Sequence, residues 1–103
     1  MSLDFSKLAK KVDEDARLII LRALLMAPGG ELNETIIDDT LQEFGHNRPR
    51  AWVRQQISYL NEVGGVIMDD SKPIRIVSIT RAGIDHTDRK AFLEGVKKPR
   101  PEI

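Results

Sequence analysis

Residues 49–79 read PRAWVRQQISYLNEVGGVIMDDSKPIRIVSI, and the fold turns on how this stretch is divided. At about 100° per residue, positions 50–63 part into two arcs. Trp52, Val53, Gln56, Ile57, Tyr59, Leu60 and Val63 share one arc. Arg50, Ala51, Arg54, Gln55, Ser58, Asn61 and Glu62 share the other. That division predicts an amphipathic helix, with Pro49 suited to its first turn and Gly64-Gly65 ending it. The period then changes. Val66-Ile67-Met68 and Ile74 to Ile79 predict two short strands, the second rich in β-branched residues. Asp69-Asp70-Ser71-Lys72-Pro73 between them is turn chemistry, so the pair is expected to form a hairpin.

Upstream, two more helices are expected. Phe5, Leu8, Val12, Ala16, Ile19, Ala23 and Ala27 recur at spacings of three and four. Arg17 to Ala27 is apolar nearly all round and is expected to run through the core. Asp13 or Asp15 offers a cap for a shorter helix, which would leave residues 1–12 as a loose extension. Pro28-Gly29-Gly30 ends the element. Asn33 then caps a second helix, with Glu34 favourable in its first turn and Leu32 and Ile37 at staple spacing. Ile36, Ile37, Leu41 and Phe44 are its expected buried face, and Gly45 its left-handed terminator. Downstream, Thr80 is placed to cap a last helix, with Ile79 and Ile84 again at staple spacing. From Gly95 onward, with Pro99 and Pro101, an extended and mobile tail is expected.

The order is helix, helix, turn, helix, hairpin, helix. It predicts an α+β, mostly helical domain of winged helix-turn-helix type over residues 1–94, followed by a basic, proline-containing tail over 95–103. In such folds the later helix of the pair enters the DNA major groove, and the hairpin is the wing.

Length and composition bound the alternatives. A chain of 103 residues is one domain. Apolar residues make up 41% of the chain and charged residues 31%. These shares are those of a soluble globular chain. With no cysteine, disulfides, thiol chemistry and thiolate metal sites are excluded, and a reducing, cytoplasmic setting fits. The strongest apolar run, Leu18 to Ala27, is broken by Arg22 and too short to span a bilayer. Acidic Asp13, Glu14 and Asp15 precede it where a signal peptide would be basic. No membrane partner is expected. His46 and His86 stand forty residues apart with no metal-ligand spacing, and no phosphate-binding or nucleophile motif is present. His46 is expected to be solvated or a local cap, and His86 to lie on a solvated helix face. Neither an enzyme nor a cofactor is expected.

Sixteen basic residues balance sixteen acidic ones, but unevenly along the chain. Residues 1–47 carry net −4 and residues 48–103 net +4. The basic half holds the candidate recognition helix. On its exposed arc Arg50 and Arg54 have the chemistry to clamp guanine, and Gln55 and Asn61 the chemistry to clamp adenine. Ser58 suits a phosphate or a base edge. Arg48 just upstream is a candidate phosphate contact. Lys72 and Arg75 near the wing tip are placed either to reach DNA or to remain solvated. Lys97, Lys98 and Arg100 are either a basic arm along the DNA backbone or a solubilising tail. Trp52 and Tyr59 lie on the apolar arc and are expected in the core, with a dimer contact as the other reading.

Five segments carry a family resemblance: Arg17 to Leu25, Leu32-Asn33-Glu34, Val53-Arg54 through Leu60, Ile79-Thr80-Arg81-Ala82-Gly83, and Gly95-Val96-Lys97-Lys98-Pro99-Arg100-Pro101. Together they resemble the small winged-helix proteins of Mu-like phages and prophages. The resemblance implies a phage origin and a winged helix, in a family whose members tend to lie among phage late or packaging genes. Two functions are expected from these readings. One is a regulator or DNA-handling accessory that binds double-stranded DNA, as a homodimer if recognition helices work in pairs. The other is a protein-interaction adaptor in phage assembly or packaging, which Glu62 and the zero net charge favour.

Overall fold

The computed structural model describes residues 4–101. Asp4, rather than Asp13 or Asp15, caps the first helix: its Oδ1 accepts from the backbone N–H of Ser6 at 3.1 Å and of Lys7 at 3.3 Å. Helix α1 then runs unbroken over Phe5–Met26. Its core side is Ala16, Ile20, Leu21 and Leu24, and its first two turns stand in solvent, with Phe5 70% and Leu8 56% exposed.

A 3-10 turn over Pro28–Gly30 leads into a strand with no counterpart in the sequence reading, β1 over Glu31–Asn33. Three residues are too few to show an alternation, so pairing rather than local pattern defines it. Helix α2 spans Glu34–Glu43, and Asn33 is its cap, accepting from the Ile36 N–H at 2.9 Å. Its buried face differs from the expected one: Ile37 and Leu41 are buried, but Ile36 and Phe44 are exposed, and Glu34 and Asp38 take their place. Ile36 sits about 100° round the helix from Ile37, so the two cannot share one neighbour. The neighbour on the Glu34–Asp38 side is a pair of arginines, which is why carboxylates are tolerated there.

Helix α3 spans Arg50–Glu62 and buries Val53, Gln56, Ile57 and Leu60, the arc expected for it. Strands β2 (Val66–Asp69) and β3 (Ile76–Ile79) form the hairpin. Met68 lies opposite Val77 in it, and Leu32 of β1 pairs with Val77 from the other side. The antiparallel sheet is therefore ordered β1-β3-β2. Helix α4 spans Arg81–Thr87, and Thr80 Oγ1 accepts from the Gly83 N–H at 3.2 Å. The described residues form an α+β arrangement of four α-helices and a three-stranded sheet, compatible with a winged helix. Among the described residues, no helix is long and apolar enough to cross a membrane.

The segment from Gly95 has neither helix nor strand, yet it is docked rather than free. Val96 is buried, and the Lys97 N–H bonds the Glu14 carbonyl of α1 at 3.1 Å. His86 anchors it, which corrects the expectation of a solvated histidine. The ring is fully buried. Its Nδ1 accepts from the Leu93 N–H at 2.9 Å, so Nε2 carries the proton and donates to the Lys97 carbonyl at 2.9 Å. Sequence spacing alone does not show this, because the partners belong to a segment without regular structure.

Candidate nucleic-acid interface

Where α2 begins, the Glu34 carboxylate is buried, with 1% of its side chain exposed. Arg54 forks onto it, Nε to Oε2 at 2.8 Å and Nη2 to Oε1 at 2.7 Å. Arg50, one turn earlier on α3, donates from Nε to Asp38 at 3.1 Å and brings Nη1 within 3.8 Å of Glu34. The Arg75 backbone N–H also donates to Glu34, at 3.2 Å. Two oxygens thus collect donors from α3 and from the residue before β3. A bidentate guanidinium–carboxylate pair of this geometry is among the stronger charge-assisted contacts. The Arg54 guanidinium holds the Glu34 carboxyl below its usual range, and the carboxylate holds Arg54 above its own.

These pairs orient the arginines without enclosing them. Arg50 and Arg54 keep 40% and 41% of their side chains in solvent. Arg54 commits its Nε–Nη2 edge to Glu34, while Arg50 meets Asp38 through Nε and Glu34 through Nη1. Arg75 lies across the same face, with Nη1 donating to the Arg54 carbonyl at 3.3 Å and to Ser58 Oγ at 3.2 Å. A shallow depression of about 390 Å³ runs between Arg54, Gln55, Ser58, Glu62 and Arg75. Asn61 turns its Oδ1 to the Met68 N–H at 3.2 Å, tying α3 to the hairpin. Arg48 stacks its guanidinium on the Trp52 ring, 4.8 Å from the centroid, and Lys72 stands exposed at the hairpin tip.

The tail cations lie elsewhere. Lys97 Nζ pairs with Asp15 of α1 at 3.2 Å, Lys98 lies 4.9 Å from the Phe92 ring centroid, and Arg100 borders a cleft with Arg22 and Met26 of α1. Of the residues marked from sequence, Arg50, Arg54, Gln55, Ser58 and Asn61 belong to α3, Arg48 to the turn before it, and Lys72 and Arg75 to the hairpin, while Lys97, Lys98 and Arg100 pack around α1 and the chain that follows α4.

Behind α3, a second polar network joins it to α1. Trp52 Nε1 donates to Asp13 at 3.1 Å, and Gln56 accepts from Arg17 Nε at 2.9 Å. Arg17 also lies 3.6 Å from the Tyr59 ring centroid and donates to the Gly95 carbonyl at 2.8 Å. Trp52 packs against the core, as expected, whereas Tyr59 is half-buried outside it, under Arg17 and with its hydroxyl donating to the Glu94 carbonyl at 2.9 Å. His46 is not solvated: its Nε2 lies 2.7 Å from Asp15 Oδ2, and its ring stacks on Trp52. Burial works against the ionised Asp15, but hydrogen bonds from His46 and Lys97 outweigh it and lower its pKa.

A relative of this chain is a phage protein. It is 42% identical over 88 residues to the uncharacterized protein gp26 of Escherichia phage Mu, a match covering 85% of this chain and 91% of that one. The chain belongs to the family of that Mu protein. An uncharacterized protein of Haemophilus influenzae is 35% identical over 92 residues, covering 88% of this chain and 89% of its own. No family model and no solved structure matches the chain.

Proposed function

We propose that this member of the Mu gp26 family is a winged-helix protein that binds double-stranded DNA in the cytoplasm of the host, as a regulator or DNA-handling accessory in phage development. The observation that carries the reading is the pair Arg50 and Arg54. They lie one turn apart on the outer arc of α3, held by the carboxylates of Glu34 and Asp38 and still about 40% open to solvent. Donors fixed in this way lose little side-chain entropy on meeting a base edge or a phosphate. Exposed Gln55 follows Arg54 directly, and Lys72 on the wing extends the same surface toward a backbone contact. The phage Mu relative supports the phage setting.

A second reading is favoured by the same carboxylates. Glu34 and Asp38 neutralise much of the charge of the two arginines, and exposed Glu62 adds an acid. A face of nearly balanced charge suits a protein partner, as in an assembly or packaging adaptor.

Titrating the protein into a fluorescent random-sequence duplex of about 25 base pairs, at several salt concentrations, tests both. The DNA reading expects binding at low salt that weakens as salt rises. Arg48→Ala and Lys72→Ala should each lower the magnitude of the log–log salt slope by about 0.9 for every phosphate no longer neutralised. An absence of binding at low salt would overturn it and leave the adaptor reading.

A further inference from the structure

Between α1 and α2, apolar side chains lie open on a charged molecule. Met26 is 86% exposed and Phe44, at the end of α2, 65%. Between the two helices runs a cleft of about 600 Å³, lined by Ile19, Ala23, Met26, Leu32 and Phe44 among others. The same chain exposes a second apolar feature, the projecting first turns of α1 with Phe5 and Leu8. An isolated exposed leucine is ordinary; a knob and a cleft on one small domain are not.

We propose that the cleft is filled by the first two turns of α1 from a second copy of this chain, in a reciprocal exchange that makes a homodimer. Shape and charge both argue for that occupant. Phe5, Leu8 and Val12 recur at three and four, so they form one ridge of a helix. A ridge of this kind fits the groove between two helices. Lys11 borders the ridge, Lys7 and Lys10 lie further round the same two turns, and no acid falls between Phe5 and Val12. The receiving helix, Glu34–Glu43, contains no basic residue, and its Asp39 and Glu43 are exposed. The α1 wall of the cleft adds one charge of each sign, Asp15 and Arg22, so a basic knob meets a rim that is acidic on its α2 side, whereas two like knobs would repel. Knob and cleft lie toward opposite ends of α1, with Leu8 and Ala23 separated by about 22 Å along the axis at about 1.5 Å per residue. A twofold axis can therefore place each knob in the other's cleft, and the contact closes on itself. Arg50, Arg54, Gln55 and Lys72 belong to α3 and the hairpin, so the exchange leaves them open. The proposal does not depend on their binding DNA.

Sedimentation equilibrium of the full chain from about 1 to 300 μM tests it. Wild type is expected to move from monomer to dimer within that range. Leu8→Glu and Phe44→Glu each replace an exposed side chain and should leave the circular dichroism spectrum and melting temperature unchanged, while weakening self-association at least tenfold. Mixed one to one, the two variants should associate more strongly than either alone, because one intact knob still meets one intact cleft. A wild type that stays monomeric across the whole range overturns the proposal and leaves the cleft to a different protein. So does a dimer indifferent to both substitutions, or a mixture no tighter than its components, which would place the contact on matching patches instead.

Discussion

Arg54 carries two tasks that a substitution cannot separate. It presents donors to solvent, and it neutralises a carboxylate that is fully buried. Breaking one side of a buried pair is destabilising because the remaining charge is left without a partner. Arg54 keeps 41% of its side chain in solvent, so water screens part of that loss. Arg54→Ala is still expected to lower the urea midpoint, because Glu34 has no comparable access to water. A lost DNA signal in that variant would therefore be ambiguous, which is why Arg48 and Lys72 are the better probes. Glu34 also sets a pH dependence. Its folded pKa lies below the usual 4.5, so its contribution is fully present above that value and fades as pH falls through the lower folded one. Urea midpoints followed from neutral pH down to about pH 3 should fall with acid in wild type, and fall less steeply in Glu34→Gln. His86 holds two backbone groups at once. His86→Leu would keep the volume but strand the Leu93 N–H and the Lys97 carbonyl, each at about 1–3 kcal/mol. A stability loss of at least about 2 kcal/mol is expected. An unchanged urea midpoint would show that water takes over both bonds.

Helix α4 shows how much, and how little, an element declares of itself. Its cap, Thr80, was legible because a hydroxyl before an apolar periodic run has a local job. The role of Gly83 was not, because its reason is tertiary. A Cβ there would lie 2.3 Å from the Gly65 carbonyl oxygen, in the backbone turn after α3. Glycine to alanine within a helix ordinarily gains up to about 1 kcal/mol. Here Gly83→Ala is expected to lose about 1–3 kcal/mol as α4 is pushed off that turn, read as a lowered melting temperature. The same distinction separates α3 from α2. The two arcs of α3 followed from its own periodicity and match the structure. The face of α2 did not, because Glu34 and Asp38 are buried by arginines 20 and 12 residues further on. No local pattern marks a carboxylate for burial when its partner is on another helix. β1 was missed for a related reason, since its three residues are a strand only by virtue of β3. The candidate surface was legible as a polar arc with two arginines; the ion pairs that fix those arginines were not.

At the scale of the whole molecule, the balance of sixteen charges against sixteen limits long-range attraction to DNA, so any affinity must come from a local surface. The tail decides how that surface is drawn. Read from the sequence, Lys97, Lys98 and Arg100 are either a basic arm or a solubilising tail; in the fold, the backbone beneath them is a strut. Val96 is buried, Gly95 accepts from Arg17, Lys97 bonds Glu14 and His86, and Arg89 donates to the Pro99 carbonyl. Burying a valine contributes about 1.5 kcal/mol or more, and each backbone bond about 1 kcal/mol. Deleting residues 95–103 should therefore lower stability by about 3 kcal/mol or more, with a matching fall in the urea midpoint. The double substitution Lys98→Ala with Arg100→Ala leaves those backbone bonds in place and should keep wild-type stability. If the double variant also keeps wild-type DNA affinity and salt slope, the tail serves the fold alone. If it loses affinity at full stability, the arm reading holds and the DNA surface extends around α1. A truncated chain that melts like wild type would remove the strut and free the tail for that second role.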